Sequence, residues 1–167
     1  MKKIGLLSDT HSYLDDRIKH HLSGVDEIWH AGDVGDEQVL DELEAIAPLR
    51  AVYGNIDSQK IRTRYPLIQD FLIEGLPVFM IHIGGHTKRF AKGIREEILR
   101  RKPKLFISGH SHILKVVYDE KLQLLHMNPG AAGISGFHKV RTMLLFDVDN
   151  GEVKNLRVVE LGPRSKA

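Results

Sequence analysis

Three short apolar runs open the chain, at residues 4–7, 27–30 and 49–53, and segments of helical spacing at 15–22 and 36–46 lie between them. This β-α-β-α-β order dictates parallel strands joined by right-handed crossovers, with ligands collecting beyond the carboxyl ends of the strands. The pattern then changes. Residues 66–73 and 77–83 read as two strands joined by a hairpin-like turn at Glu74-Gly75-Leu76, and 87–101 as an amphipathic helix carrying Phe90, Ala91, Ile94, Ile98 and Leu99 at helical spacing. Further strands are expected at 105–108, 114–118, 123–126, 142–148 and 153–159. An α/β architecture follows, parallel early and antiparallel late, and two packed sheets flanked by helices accommodate that many strands. Residues 1–161 are expected to form a single domain and 162–167 a frayed tail.

With 167 residues, 42% of them hydrophobic, the chain can build a core without disulfides or partners. Lys and Arg exceed Asp and Glu only by 24 to 22, which argues against nucleic acid as a partner. The amino terminus meets Asp9 before a long apolar stretch forms, so it reads as a strand and not a targeting segment. No window approaches the roughly 18 apolar residues that span a bilayer, and a soluble protein without membrane contact is expected. The absence of cysteine fits a reducing, cytoplasmic setting and removes thiolate nucleophiles, Cys-type zinc sites and iron–sulfur clusters. Ten histidines remain to be explained.

They concentrate where the strands end. The exits read Ser8-Asp9-Thr10-His11, His30-Ala31-Gly32-Asp33, Gly54-Asn55-Ile56-Asp57, Ile81-His82 and Ser108-Gly109-His110-Ser111-His112. One Asp after a strand is usually a cap or turn residue, and a lone His there is usually structural. Five coincident exits, each with a metal-competent oxygen or nitrogen, point to a metal site. The i, i+2 spacing of Asp9 with His11 and of His110 with His112 lets both members of each pair face one ion. Glycine at 32, 54 and 109 allows tight turns beside them.

The ordered set Asp9-x-His11, Gly32-Asp33, Gly54-Asn55-x-Asp57, His82 and Gly109-His110-x-His112 resembles the calcineurin-like metallophosphoesterases. Asn128-Pro129-Gly130 and the short chain make it similar to their small bacterial and archaeal phosphodiesterases. The resemblance implies a four-layer α/β/β/α sandwich with two divalent metal ions. Asp9, His11, Asp33 and His112 would hold the first, Asp33 would bridge, and Asn55, His82 and His110 would complete the second. Two ions bring +4, which Asp9, Asp33 and a bridging hydroxide reduce to about +1, because Asn55 and neutral imidazoles add no charge. The remaining charge attracts phosphate, and in-line attack of that hydroxide on a phosphodiester is the expected reaction. Mixed oxygen and nitrogen donors without sulfur suit manganese, which the resemblance also favours, with iron, zinc or nickel as alternatives.

Two departures bear on the proton needed by the leaving group. Many family members carry His where this chain has Ile56, and Ile56 cannot donate. A His-Gly-His element appears here as His82-Ile83-Gly84-Gly85-His86. His86 and His138 are therefore the candidate catalytic acids. Asn55 and Arg141 are candidate substrate-binding residues, Arg141 as a bidentate phosphate clamp. Asp57 either orients the Asn55 loop or caps a following helix. His30 and His126 are core residues or orient ligands, while His20 and His21 lie on a surface. Loops at 59–65 and 131–139 are expected to shape the site. A small phosphodiester or nucleotide-like molecule is the expected substrate, with a phosphomonoester or nucleotide pyrophosphate as alternatives, and homo-oligomerisation is left open. A non-catalytic scaffold on the same fold is the reading from another class; all seven donor positions being filled weighs against it.

Overall fold

Ile4, Leu6 and Leu7 are fully buried, so the first strand is covered on both faces, as a parallel strand inside a layered sheet must be. The computed structural model describes residues 1–86 and 88–164. In chain order its elements are β1 (Lys2–Leu7), α1 (Asp16–Leu22), β2 (Glu27–His30), α2 (Glu37–Ile46), β3 (Leu49–Ala51) and α3 (Gln59–Arg64). There follow β4 (Ile68–Ile73), β5 (Leu76–Ile81), β6 (Gly85–His86), β7 (Arg89–Phe90), α4 (Ile94–Arg101) and β8 (Leu105–Ile107). The chain continues with β9 (Leu114–Asp119), β10 (Leu124–Pro129), β11 (Val140–Asp149) and β12 (Glu152–Pro163).

Two five-stranded sheets have the orders β12-β11-β1-β2-β3 and β4-β5-β8-β10-β9. Three apolar layers separate four structural ones. Leu6, Trp29, Val78, Leu105, Met127 and Phe146 pack between the sheets. Ile18, Leu22, Leu40, Leu43 and Met143 pack between the first sheet and its helices. Phe79, Phe106, Ile94 and Ile98 seat α4 on the second sheet. The architecture is the α/β/β/α sandwich. Trp29 ties the sheets together, meeting Phe71 edge-on at 5.1 Å and Phe146 at 5.6 Å. Among the described residues no helix is long and apolar enough to cross a membrane.

Local sequence explains most boundaries. The Asp15 carboxylate accepts the Ile18 amide at 3.0 Å and starts α1. The helix expected over 87–101 begins only at Ile94, because Gly85 (φ 79°) and Gly93 (φ 83°) interrupt it and Gly85–His86 pairs with Arg89–Phe90 as a small hairpin. Thr87 lies outside the described residues. Phe90 and Ala91 still pack on the α4 layer, which is why their spacing satisfied a helical pattern. Within the expected loop at 59–65, residues 59–64 form α3, which buries Ile61. Residues 162–164, expected in a frayed tail, are paired instead: Gly162 and Pro163 pair with Arg141 and Val140, and the Arg164 amide reaches Lys139 O at 3.0 Å. Residues 165–167 lie outside the described residues.

Strands β1, β2 and β3 run parallel, as do β5 and β8 in the other sheet. The Gly109 amide donates to His82 O, joining the β8 and β5 exits, and the carboxyl ends of the two sheets meet where the His110 amide donates to Asp9 Oδ2.

Candidate metal centre

Five of the seven expected donors sit on left-handed backbone: Asp9 (φ 54°), His11 (45°), Asp33 (56°), His110 (71°) and His112 (62°). Such conformations cost about 1–2 kcal/mol each for residues with a Cβ, and persist where surrounding structure holds them. The hold is visible. Amides of Asp9, His11 and Ser12 donate to Gly32 O, Asp33 O and Val34 O at 2.9, 3.0 and 2.8 Å, locking the β1 exit onto the β2 exit. Gly32 is required by this contact, since a Cβ there would lie 2.6 Å from His82 Nδ1.

Each carboxylate has one oxygen held by protein and one turned into the cleft. Asp9 Oδ2 accepts Ser8 Oγ at 2.6 Å and the His110 amide at 3.1 Å. Its Oδ1 faces His112 Nε2 at 3.1 Å, with His82 Nε2 and His11 Nε2 at 3.8 and 3.9 Å. Asp33 Oδ1 accepts the Ile56 amide at 3.1 Å. Its Oδ2 faces His82 Nε2 at 3.2 Å and His11 Nε2 at 3.3 Å, standing between the two sides of the site. Asn55 Oδ1 lies 3.1 Å from His110 Nδ1. The donors gather as two groups, Asp9 with His11 and His112, and Asp33 with His82 and His110, each within 4.8 Å.

The residues fit divalent cations. Among the described residues, Asp9 Oδ1, His11 Nε2 and His82 Nε2 are buried and find no hydrogen-bond partner, an arrangement that is costly unless something else satisfies them. Nearest separations of 3.1 to 3.3 Å match neighbouring donors on one ion with bonds of about 2.1 Å, which lie about 3.0 Å apart in octahedral and about 3.4 Å in tetrahedral geometry. Charge points the same way. Burial opposes ionisation of Asp9 and Asp33, but the facing imidazoles of His11, His112 and His82 outweigh it and hold both carboxyls well below the usual range. Asp33 and Asp9 in turn lift His11 to about 9. The two buried carboxylates therefore draw positive charge into the cleft.

The imidazoles are set in position by their outer nitrogens. His82 Nδ1–H donates to Ala31 O at 2.7 Å, which turns Nε2 into the cleft. His138 Nε2–H donates to Gly133 O at 2.8 Å. Its Nδ1 meets His112 Nδ1 at 3.3 Å, and burial lowers the His138 pKa. His112 Nε2 is thereby turned towards Asp9 Oδ1, 3.1 Å away. This corrects the expectation for His138: both ring nitrogens are engaged, and it orients His112 in place of serving as a free acid.

Two other expectations are corrected. Arg141 is buried, its Nη1 paired with Asp15 at 3.0 Å and its Nε donating to Ala132 O at 2.8 Å, so it braces the 131–139 loop and clamps no phosphate. His86 is exposed on β6, beside Lys115 Nζ at 3.3 Å, and faces a cavity of about 120 Å³ with His126 and Asn128, adjoining the donors only through Ser111 and Ile113. Asp57 orients the Asn55 loop and more: its carboxylate accepts the Gly54, Gly35 and Val34 amides at 2.8, 2.9 and 3.1 Å, joining the β2 and β3 exits. His30 stitches Thr10 Oγ1 to the Gly32 amide, and burial pushes it down to about 4. His126 stacks on Phe106 at 4.6 Å and is a core residue. Ser8 and Thr10, which no sequence reading singled out, complete the support; their only signal was being small polar residues flanking Asp9.

A cleft of paired carboxylates and orienting histidines at the strand ends of a double-sheet sandwich defines a metal-binding phosphoesterase layout. The chain belongs to the calcineurin-like phosphoesterase superfamily, whose domain model matches residues 1–151. It is 30% identical over 164 residues to a probable metallophosphoesterase of Methanothermobacter thermautotrophicus, covering 95% of this chain and 92% of that one. It is also 30% identical over 144 residues to a phosphodiesterase of Methanocaldococcus jannaschii, covering 77% and 82%. Among solved structures, an archaeal phosphodiesterase aligns with TM-score 0.76 at 24% identity, over 95% of this chain and 99% of that one. Vps29 of Chaetomium thermophilum aligns with TM-score 0.75 at 19% identity, over 96% and 95%.

Proposed function

We propose that the protein is a phosphodiesterase working with two divalent cations, manganese first among them. The observation that carries this reading is Asp33 Oδ2, placed between histidines of both donor groups. Asp9, His11, Asp33 and His112 would hold one ion; Asn55, His82 and His110, sharing Asp33, would hold the other. When bound, two such ions supply Lewis acidity to the phosphoryl oxygens and a nucleophile at neutral pH. The chain's own residues do the rest. Ala31 O and His138 hold His82 and His112 with Nε2 turned inward. Asp9 and Asp33 neutralise only half of a +4 charge, so an anionic phosphoester is attracted. Ile56, 47% exposed, stands where a proton donor is absent, and His138 is engaged elsewhere. The site is thus suited to esters whose leaving group departs without protonation. A cytoplasmic setting belongs to the same proposal, in keeping with a cysteine-free sequence.

The test is metal analysis combined with a panel of chromogenic phosphodiesters and phosphomonoesters under added manganese. Diester turnover exceeding monoester turnover, abolished in Asp33→Asn and His110→Ala, is the expected result. Preference for the monoester would overturn the substrate assignment. Absence of both bound metal and turnover would favour a scaffold.

A further inference from the structure

One apolar feature beside the donors is not explained by folding. Phe137 is fully exposed and Ile113 is 60% exposed, and they line a cavity of about 450 Å³ with His110, His112, Ser111 and His138. Exposed apolar side chains that share one cleft, unlike those scattered singly over a surface, mark binding sites. The loop bearing Phe137 is tethered on both sides of its tip. His138 Nε2–H donates to Gly133 O, Arg164 Nε donates to His138 O at 2.9 Å, and a Cβ at Gly136 would lie 2.3 Å from His112 Nδ1. The aromatic ring is therefore presented at a set position against a donor histidine.

The lining also restricts what enters. Among the described residues that form this cavity there is no Lys or Arg, so a second phosphate within it would meet no cationic side chain; Lys115 lines the adjoining cavity beyond Ser111 and Ile113. Its volume lies in the range that holds a small molecule, and Phe137 and Ile113 give it an apolar side opposite the polar side of His110, Ser111, His112 and His138. Resting on the metal-centre reading above, we infer that the cavity takes a flat aromatic group esterified to the phosphate, a nucleobase-bearing or aryl group, clasped between Phe137 and Ile113. Phe137 and Ile113 are then specificity-determining residues of the reaction.

The test is calorimetric binding to the manganese-loaded full chain, with four probes: inorganic phosphate, ribose 5-phosphate, adenosine 5′-monophosphate and phenyl phosphate. Phosphate and ribose 5-phosphate report the metal centre alone. The two aromatic probes are expected to bind about tenfold tighter than these, the scale of one ring stacked on one side chain. In Phe137→Ala that ratio should fall close to one, with thermal unfolding unchanged because the ring buries nothing. Ile113→Ala should lower the ratio by a smaller factor. Inorganic phosphate that fails to bind, or binds equally without manganese, would remove the metal-centre reading itself. Phosphate that binds while neither aromatic probe gains, or a gain that survives Phe137→Ala, overturns the inference and leaves that reading intact.

Discussion

Replacing Asp57 should separate the two loops on which Asp33 and Asn55 stand. The carboxylate is 4% exposed and accepts three backbone amides: Gly54 at 2.8 Å, Gly35 at 2.9 Å and Val34 at 3.1 Å. An unsatisfied buried N–H costs about 1–3 kcal/mol, so Asp57→Ala should lose about 4 kcal/mol once partial rehydration of the half-buried Gly35 is allowed for. That is a large part of the 5–15 kcal/mol that holds a typical domain. Asp57→Asn should lose about half as much. Its carbonyl can keep the Val34 and Gly54 amides, which share Oδ2, but its NH₂ meets the Gly35 N–H. Urea unfolding followed by circular dichroism, in chelator so that no cation contributes, gives these values. Amide exchange should show protection lost first at Val34, Gly35 and Gly54. With manganese restored, affinity should fall about tenfold or more in either variant, the usual effect of removing a group that orients ligands. A loss below about 1 kcal/mol for Asp57→Ala, or unchanged amide protection at these three residues, would refute the claim that this carboxylate joins the loops.

Three further outcomes are expected. Manganese at about a hundred times its dissociation constant should stabilise the protein by about 2.7 kcal/mol per ion, or about 6–10 °C in Tm, and Asp33→Asn should remove most of that shift in a thermal scan. His138→Ala should weaken manganese binding about tenfold while His86→Ala does not, as read by metal titration of the two variants. Burial pushes His126 down to about 4 from 6.5, so above pH 6.5 both folded and unfolded forms are neutral there and the ring costs nothing. As pH falls from 6.5 towards 4 the unfolded chain takes up a proton that the folded ring refuses, and about 3 kcal/mol should be lost across that window. His126→Gln should flatten the acid limb of the stability–pH curve by that amount while His30, depressed in the same direction, keeps its own share in both proteins; an unchanged limb would exclude the buried neutral ring.

What could be seen in the sequence, and what could not, follows from how far each partner lies along the chain. The donors were legible because each sits at the end of an apolar run, and strand winding brings such ends together whatever the intervening residues are. The braces were not. Asp57 acts on Val34 and Gly35, 23 and 22 residues away, and His138 acts on His112, 26 residues away. Nothing local distinguishes these side chains from a cap or a loop histidine. Arg141 shows the converse, since its bidentate chemistry suggested phosphate until folding placed Asp15 beside it. The helix start failed for a related reason: Phe90 and Ala91 satisfy a helical period and a hairpin packed on the same layer equally well, and only the two glycines in left-handed geometry decide between them. The two sets of residues are physically linked. Donors at Asp9, His11, Asp33, His110 and His112 occupy backbone that an isolated segment would avoid, at about 1–2 kcal/mol each. A site of this kind therefore needs distant braces such as Asp57, Arg141 and His30 to exist at all, which is why the residues hardest to find in the sequence are the ones on which the legible ones depend.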